Sequence, residues 1–274
     1  MTPELDRICQ MLRRAAQDEI LPRFRQVSST EKADGSLVTE ADLATQATIT
    51  GLLATATPEI PLLGEEMTRE EQLRRLSDAQ TGVWCLDPID GTTNFACGFP
   101  AFAISLALIQ GGEVILGAVL DPLRDECFCA GRGLGAFLNG KPLRLAPSPR
   151  RLKDAVAAVD LKRLRPAELV RLGADAPYRS HRSLGCVALE WCWLAAGRFQ
   201  LYLHGGQRLW DYAAGRLIAS EARAASELFE RGDGTGPLAP AVGLSLEPRR
   251  AVAAADQALL EEWLAWIDQG QGVA

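Results

Sequence analysis

The sequence predicts a layered α/β or α+β sandwich. Helical and strand periodicities alternate along the whole chain, and strand runs joined by a Gln-Gly-Gly turn lie in its middle. The 274 residues are 47% apolar and 23% charged, which is enough for one large unit, or two lobes sharing an interface, around a sizeable core. These patterns do not determine the order of the strands.

The elements of the first half follow from apolar spacing and turn residues. Apolar residues recur at helical spacing over residues 3–24, and Pro22 marks the end of this helix. A polar loop with turn residues leads to the second helix. The predicted elements are helices at 3–24, 41–54 and 69–79, and strands at 61–64, 83–86, 102–109, 114–120 and 126–130.

A boundary between two halves is predicted at residues 146–151, APSPRR. Residues 1–148 form an N-terminal lobe and residues 149–274 a C-terminal lobe of one continuous unit. The predicted elements of the second half are strands at 155–159 and 199–203, and helices at 166–172, 184–196, 210–222 and 258–267.

Charge and hydropathy exclude several classes of protein. The net charge of −6 argues against broad nucleic-acid binding, which needs a concentrated basic surface. The longest apolar stretch, residues 101–120, is interrupted by polar residues at 110–113 and cannot span a bilayer as one helix. The first ten residues are charged where a secretion signal needs an apolar run. We therefore expect a soluble protein without a membrane or nucleic-acid partner.

Cysteine and histidine usage narrows the chemistry. Seven cysteines without a CxxC pair, several inside apolar runs, predict reduced core thiols and a cytoplasmic location. His181 and His204 are the two histidines, so a histidine-rich zinc centre is excluded, and neither is accompanied by a GxSxG motif. Carboxylates are expected to carry any chemistry.

Two aspartates follow a buried strand in the segment WCLDPIDGTTNF, residues 84–95. With Pro88 fixing the backbone between them, Asp87 and Asp90 can converge, and the Ile89 carbonyl can point the same way. Oxygen-only ligands of this kind suit a hard cation such as Mg²⁺. If Gly91 and Thr92 open a helix, their N–H groups form a phosphate seat. The alternative is a strand end followed by an aspartate cap and a turn.

Three further segments place a carboxylate at the end of a predicted element. Glu65 follows a short strand, Asp211 begins an apolar helix, and Asp42 lies at a helix start. Each alone is typical of a helix cap or a solvated face. Together they occupy positions suited to metal ligands, and a carboxylate-held metal pair beside a phosphate seat is typical of phosphoryl transfer to water.

These segments resemble the inositol monophosphatase family of metal-dependent phosphatases. The matching residues are DGSLVTEAD (34–42), LLGEE (62–66), LDPIDGTTNF (86–95) and LWDYAAG (209–215), with looser similarity at RSLG (182–185) and residues 119–140. The resemblance extends in order over nearly the whole chain. It implies an αβαβα sandwich, commonly assembled as a homodimer.

The resemblance also implies a metal centre of two to three Mg²⁺ ions. Glu65, Asp87 and the Ile89 carbonyl are implied ligands of the first ion, and a third, weaker ion is implied near Glu65. Asp87, Asp90 and Asp211 are implied ligands of the second ion.

Further roles follow from the same resemblance. Gly91 and Thr92 are implied to seat the phosphate through backbone N–H groups and the threonine hydroxyl. Asp42 with Thr92 is implied to orient and deprotonate the attacking water, as is Glu65 through its metal. Asp90 is also an implied substrate contact.

The chain departs from the family pattern on the substrate side. His204 stands where members acting on inositol phosphates typically carry an acidic residue, and Cys186-Val187 replaces a small pair. We expect these three residues to contact substrate and alter its selection, although a histidine in a loop is an equally good account of His204. The usual EAGG after the last metal helix reads Glu221-Ala-Arg-Ala224.

Three cations, Lys32, Arg182 and Arg208, are predicted near the mouth of the site. They could bind a second phosphate, although solvated surface charge explains them as well.

The sequence thus leads to a Mg²⁺-dependent phosphomonoesterase of a small polyol phosphate, with inositol monophosphate as the default. One alternative keeps the reaction on histidinol phosphate, fructose 1,6-bisphosphate or adenosine 3′,5′-bisphosphate. Another is a regulatory binding module of the transcription or translation machinery, because some bacterial proteins resembling this one associate with it. Lithium inhibition follows from the resemblance alone.

Overall fold

Two β-sheets alternate with three layers of helices in the computed structural model of the protein, which describes residues 1–26, 29–31, 37–146, 151–231 and 238–269. The predicted layered sandwich, including the order αβαβα, is confirmed. A separate hairpin, β1 (Ser29–Glu31) with β2 (Leu37–Thr39), precedes the first sheet.

The first sheet has seven strands in the order in which they occur along the chain, and every neighbouring pair except the first is antiparallel. Its strands are β3 (Leu62–Gly64), β4 (Val83–Asp90), β5 (Ala103–Gln110), β6 (Glu113–Asp121), β7 (Glu126–Gly131), β8 (Gly135–Leu138) and β9 (Lys141–Leu143). Strand β4 runs four residues beyond its predicted end at Leu86, because it continues through a bulge past Pro88 to Asp90.

Helices α1 (Pro3–Ala15) and α2 (Glu40–Ala56) cover the outer face of this sheet. The apolar stripe of α1 that predicted the helix is buried there. The α-helix passes into a wider helical turn at Ala16–Ile20, and Pro22 lies in the turn that follows, so the predicted end at residue 24 is too late. Helix α3 (Arg69–Ser77) and the short α4 (Thr92–Cys97) flank β4 in sequence.

Helices α6 (Val187–Ala195) and α7 (Leu209–Glu221) form the middle layer between the two sheets. They pack closely because Gly215 has no side chain: a Cβ there would lie 2.6 Å from Cβ of Trp191. Helix α6 begins three residues after its predicted start at residue 184, since the chain first passes through Gly185 at φ +69°.

The second sheet has five strands in the order β11-β10-β12-β14-β13, with β10 parallel to both of its neighbours. The strands are β10 (Val156–Asp160), β11 (Ser180–Arg182), β12 (Leu201–Gln207), β13 (Ala225–Glu230) and β14 (Arg249–Ala254). Helices α5 (Pro166–Ala174) and α8 (Gln257–Gln269) lie on its outer side.

The short strands β1, β2, β8, β9 and β11 were not predicted, nor were β13 and β14. For β14 the reason is its charge. This strand begins with Arg249 and Arg250, which the sequence suggests are exposed, yet each is only 3% exposed. Arg250 forms a two-armed ion pair with Glu168 of α5: Nη1 donates to Oε2 at 2.9 Å, and Nη2 lies 2.8 Å from Oε1. Partners distant in sequence therefore allow a charged segment to form an interior strand of the sheet.

The two sheets lie on either side of the predicted boundary, between Leu143 and Val156. Residues 147–150 of that boundary lie outside the described residues, and the division into lobes 1–148 and 149–274 stays a prediction. All seven cysteines are free thiols, and all except Cys97 are buried. Within the described ranges, no helix is long and apolar enough to cross a membrane.

Candidate active site

A cavity of about 560 Å³ opens beside the carboxyl ends of β4, β10 and β12 and the first residues of α4, α6 and α7. Its volume is within the range of roughly 300–1,000 Å³ common for small-molecule sites. Four of the predicted metal ligands, Glu65, Asp87, Asp90 and Asp211, line it together with Ile89. Acidic residues 146 positions apart in the chain are thus brought to one cavity.

A bulge in β4 explains how Asp87 and Asp90 share a side of the sheet. Residues three apart in a regular strand point to opposite faces. Here Asp87 pairs with Ser105 and Asp90 with Ala103, so β4 has one extra residue over this interval. Pro88, which cannot donate a ladder hydrogen bond, lies inside the bulge. Because Ser105 and Ala103 are two apart on a regular strand, both aspartates face the same way.

Strand register and helix start bring the other two carboxylates to this side. Leu63 pairs with Cys85 and Gly64 with Leu86, so the parallel register of β3 and β4 continues to place Glu65 beside Asp87. Asp211 lies in the first turn of α7, where its Oδ2 accepts a hydrogen bond from Arg208 N at 2.8 Å. That helix is held to the sheet near the bulge by the Ser105 hydroxyl, which donates to Trp210 O at 3.0 Å.

Burial and mutual repulsion perturb three of the carboxyl groups. Burial, together with the charges of Glu65, Asp90 and Asp211, raises the pKa of Asp87 well above its ordinary value. Burial, with Asp90 and Glu65, does the same to the pKa of Asp211. Burial raises the pKa of Asp90 to about 7, although the N–H of Ala188 opposes the shift. Carboxylates that lie close together away from water are stable only when some of them are protonated or when a cation binds between them.

The donor set fits a hard divalent cation by its chemistry. Carboxylate and carbonyl oxygens are the ligands that Mg²⁺ takes, and the mutual repulsion of the carboxylates is what a cation relieves. As the side chains stand, no group of three or more His, Cys, Asp or Glu residues in the described part of the chain is arranged to hold a metal ion. The fit therefore rests on the kind of donor and on their shared cavity.

Gly91 and Thr92 begin α4 beside these carboxylates, as predicted. Gly91 has φ +88°, and a Cβ there would lie 2.9 Å from Ala101 O, so the position requires glycine. The Thr92 hydroxyl lies 2.9 Å from Ile89 O and 3.3 Å from Asp42 Oδ1. The buried Asp42 also accepts from Thr39 N at 2.8 Å through Oδ2, which closes a capping box at α2. The predicted pair Asp42–Thr92 is thus in contact.

The residues Cys186 and Val187 lie at the start of α6 and line the cavity. Asp90 Oδ2 accepts from Ala188 N at 2.5 Å and lies 3.3 Å from Cys186 Sγ. The Cys186 thiol is therefore turned toward Asp90, and it orients that carboxylate as well as bordering the cavity.

His204 also lines the cavity, but both of its ring nitrogens are bonded within the protein. Nδ1 accepts from Gly206 N at 3.2 Å, and Nε2 lies 2.9 Å from Asp160 Oδ2. Nε2 therefore carries the proton, and burial lowers the pKa of His204 despite Asp160. The ring is therefore anchored through both nitrogens, and it holds the Asp160 carboxylate in place.

Of the cations predicted near the mouth of the site, the structure places one at the cavity and one outside it. Arg208 lines the cavity, and its Nη1 donates to Leu246 O at 3.3 Å. Arg182 is not among the described lining residues; its Nη1 donates to Ser180 Oγ at 2.8 Å. Lys32 lies outside the described residues.

Sequence reasoning missed several lining residues in the C-terminal half, which are Asp160, Lys162, Arg163, Glu190 and Arg231. The end of predicted strand 155–159 was the available signal for the first three of these. Glu190 is inside an apolar helix; burial raises its pKa to about 7, while the N–H of Leu184 opposes this shift. Its carboxylate accepts from Leu184 N at 2.9 Å and so shapes the loop before α6.

The layered fold and the acidic cavity agree with a phosphatase, and comparison with known proteins identifies the family. The sequence model of the inositol monophosphatase family matches residues 4–269, so the chain belongs to that family. It is 35% identical over 209 residues to the Nus factor SuhB of Vibrio cholerae, covering 74% of this chain and 76% of that protein. It is 36% identical over 198 residues to inositol monophosphatase 1 of Solanum lycopersicum, covering 70% and 71%.

Solved structures agree over the full length. The IMPase of Thermotoga maritima superposes with a TM-score of 0.80 at 26% identity, covering 98% of each chain. The SuhB protein of Mycobacterium tuberculosis superposes with a TM-score of 0.75 at 30% identity, covering 100% of each. Family membership supports a phosphatase of the generally metal-dependent kind.

Proposed function

We propose that the protein is a Mg²⁺-dependent phosphomonoesterase acting on a small polyol phosphate, with inositol monophosphate as the first substrate to test. One observation carries the proposal: Asp87 and Asp90 are buried and Asp211 is half-buried in the cavity that Glu65 also lines, and the pKa of each of the three aspartates is raised. Carboxylates grouped in this way repel one another, and bound cations would remove that repulsion. The arrangement therefore supports a metal centre.

In this proposal Glu65, Asp87 and the Ile89 carbonyl hold one Mg²⁺, and Asp87, Asp90 and Asp211 hold a second. A third ion is assigned near Glu65, giving two to three per site. When bound, Mg²⁺ would lower the pKa of the attacking water and stabilise the negative charge that develops on the leaving oxygen.

The other residues bind, orient and move protons. The backbone N–H groups of Gly91 and Thr92, at the start of α4, hold the phosphate oxygens. The Thr92 hydroxyl and Asp42 orient the attacking water, and the buried carboxylate of Asp42 accepts its proton through that hydroxyl, 3.3 Å away. Cys186 and the N–H of Ala188 keep Asp90 oriented.

The stability of the folded protein should fall as pH rises and should increase when Mg²⁺ is added. A carboxyl whose pKa is raised by folding holds its proton more tightly in the folded state, so it contributes stability at low pH that is lost as pH rises through the folded value. For Asp90 the window runs from about 4, the ordinary value, to about 7. We expect the Tm of chelated protein to fall between pH 5 and pH 8, and added Mg²⁺ to raise it most at pH 8. A Mg²⁺ effect independent of pH contradicts the assignment.

Phosphate release from a panel of monoesters, with Mg²⁺ and with a chelator, tests the activity. The panel contains inositol 1-phosphate, histidinol phosphate, fructose 1,6-bisphosphate and adenosine 3′,5′-bisphosphate, which also ranks the alternative substrates. We expect Mg²⁺-dependent release from at least one ester and none with chelator. Absence of release from all of them rejects the enzymatic proposal.

A second candidate function has a specific observation in its favour. Relatives with about 35% identity, from Vibrio cholerae and Haemophilus influenzae, are called Nus factor SuhB. Association with the transcription machinery is therefore a candidate role, tested by co-purification with RNA polymerase. A panel without phosphate release together with such association favours this role.

The proposal also includes a homodimer in the cytoplasm. Light scattering on the purified protein tests the dimer, and fractionation of the source cells tests the location.

A further inference from the structure

The part of the cavity wall supplied by the five-stranded sheet carries positive charge. Lys162 and Arg163 follow the carboxyl end of β10, and Arg231 follows the end of β13. All three line the cavity and have exposed side chains. Among the described residues, neither Lys162 nor Arg231 forms an ion pair with an acidic side chain. We call these three residues the cationic wall.

Two glycines of β12 bring the cationic wall together. A Cβ at Gly205 would lie 1.8 Å from Arg163 O, so the turn that carries Lys162 and Arg163 is seated directly on this strand. A Cβ at Gly206 would lie 3.3 Å from the Arg231 side chain. Because both positions lack a side chain, two segments distant in sequence lie against consecutive residues of one strand.

A buried network orients Arg163. Asp160 accepts from Lys162 N at 2.9 Å through Oδ1, and its Oδ2 accepts from His204 Nε2 and from Arg163 Nη1. Asp160 is the one carboxylate of this network, and both His204 and Arg163 donate to it. The three cations of the cationic wall outnumber the one carboxylate that is hydrogen-bonded to them, so this side of the cavity has a net positive charge. An anion there gains charge-assisted hydrogen bonds.

We propose that the cationic wall binds a second anionic group of the substrate, a phosphate or a carboxylate. The inference rests on the proposed function and names the substrate class for that site. The same cavity contains Gly91 and Thr92, so one ligand can place its scissile phosphate there and a second anion at Lys162, Arg163 and Arg231. His204 is then a positioning residue that acts through Asp160.

The test compares substrates that differ in one anionic group. Fructose 1-phosphate is paired with fructose 1,6-bisphosphate, and glycerol 2-phosphate with 2-phosphoglycerate, so the two arms distinguish phosphate from carboxylate. We expect the doubly anionic member of at least one pair to have the lower KM, with kcat/KM higher by about tenfold. Since the wall is exposed, this advantage should shrink as salt is raised.

The variant carries Lys162→Gln and Arg231→Gln. It keeps Arg163, because Arg163 forms the ion pair with Asp160. On the preferred doubly anionic substrate its kcat/KM should fall about tenfold, because KM rises. On the paired compound that lacks the second anion, its kcat/KM should stay within about twofold of the parent value. Arg182→Gln, an exposed cation outside the cavity, is the control and should change neither.

The outcomes separate this inference from the proposed function. Equal kcat/KM within both pairs, or equal losses in the variant on both members of a pair, overturns the cationic wall and leaves the phosphatase proposal intact. No release from any of the four compounds by protein that hydrolyses inositol 1-phosphate also overturns the cationic wall alone. No release from these four or from the panel of monoesters rejects the proposed function, and the inference with it.

Discussion

Asp90→Asn is expected to lower kcat about 10³-fold on the preferred phosphate ester, because the proposed Mg²⁺ ions would supply several kcal/mol of charge stabilisation. An amide oxygen can still accept the hydrogen bond from Ala188 N, so the start of α6 keeps its anchor. The substitution removes one anionic ligand of the proposed metal centre, a carboxyl whose pKa is raised to about 7. Steady-state phosphate release at saturating Mg²⁺ measures the loss.

A second measurement separates loss of metal from loss of fold. Without Mg²⁺, the variant should have a Tm at least equal to the parent at pH 8, because a penalised buried charge is gone; with Mg²⁺, its rise in Tm should be much smaller. Asp121→Asn is a matched control, since Asp121 is also buried but pairs with Arg124 away from the cavity. Folded Asp90→Asn protein with parental activity rejects the assignment of Asp90 to the metal centre.

Glu168→Ala is expected to lower the free energy of unfolding by about 3–5 kcal/mol, because it leaves the guanidinium of Arg250 buried without its counter-ion. Arg250 is 3% exposed and Glu168 9% exposed. Glu168 also accepts from Arg165 N at 3.0 Å, so the start of α5 loses its capping bond as well. Chemical denaturation of the metal-free protein measures the change.

Arg250→Met in the Glu168→Ala background provides the complementary test. Removal of the stranded cation should recover part of the lost stability, because the largest cost is the unpaired buried charge rather than the missing contact. Glu113→Ala, which breaks the surface ion pair with Arg132, should cost less than about 1 kcal/mol. If Glu168→Ala and Glu113→Ala lowered the free energy of unfolding equally, the argument that an unpaired buried charge carries the larger cost would be wrong.

Local patterns predicted most elements of the fold well. The buried stripe of α1, the apolar runs of β5 and β6 and the helix at Asp211 were all evident from spacing, since each depends on neighbours within a few residues. Strand β14, one of the strands that were not predicted, depends on distant partners. A segment that begins Arg-Arg is an interior strand here because Glu168 and Glu230 supply opposite charge.

The candidate site divides in the same way. Asp87, Ile89, Asp90, Gly91 and Thr92 come from one short segment, and its composition already indicated an oxygen-rich site beside a helix start. That Asp87 and Asp90 face the same side depends on the bulge opposite β5, which the neighbouring strand imposes. Spacing alone places residues three apart on opposite faces of a strand.

The sequence by itself determined the chemical groups of the site and the element ends at which they lie, because those features arise from short-range propensity and turn chemistry. Only the tertiary structure decided which groups meet: Asp211 beside the β4 bulge, His204 held by Asp160, and Lys162 with Arg231 along one wall. The reason is that strand order and register, which depend on packing over the whole chain, set the distance between residues far apart in sequence.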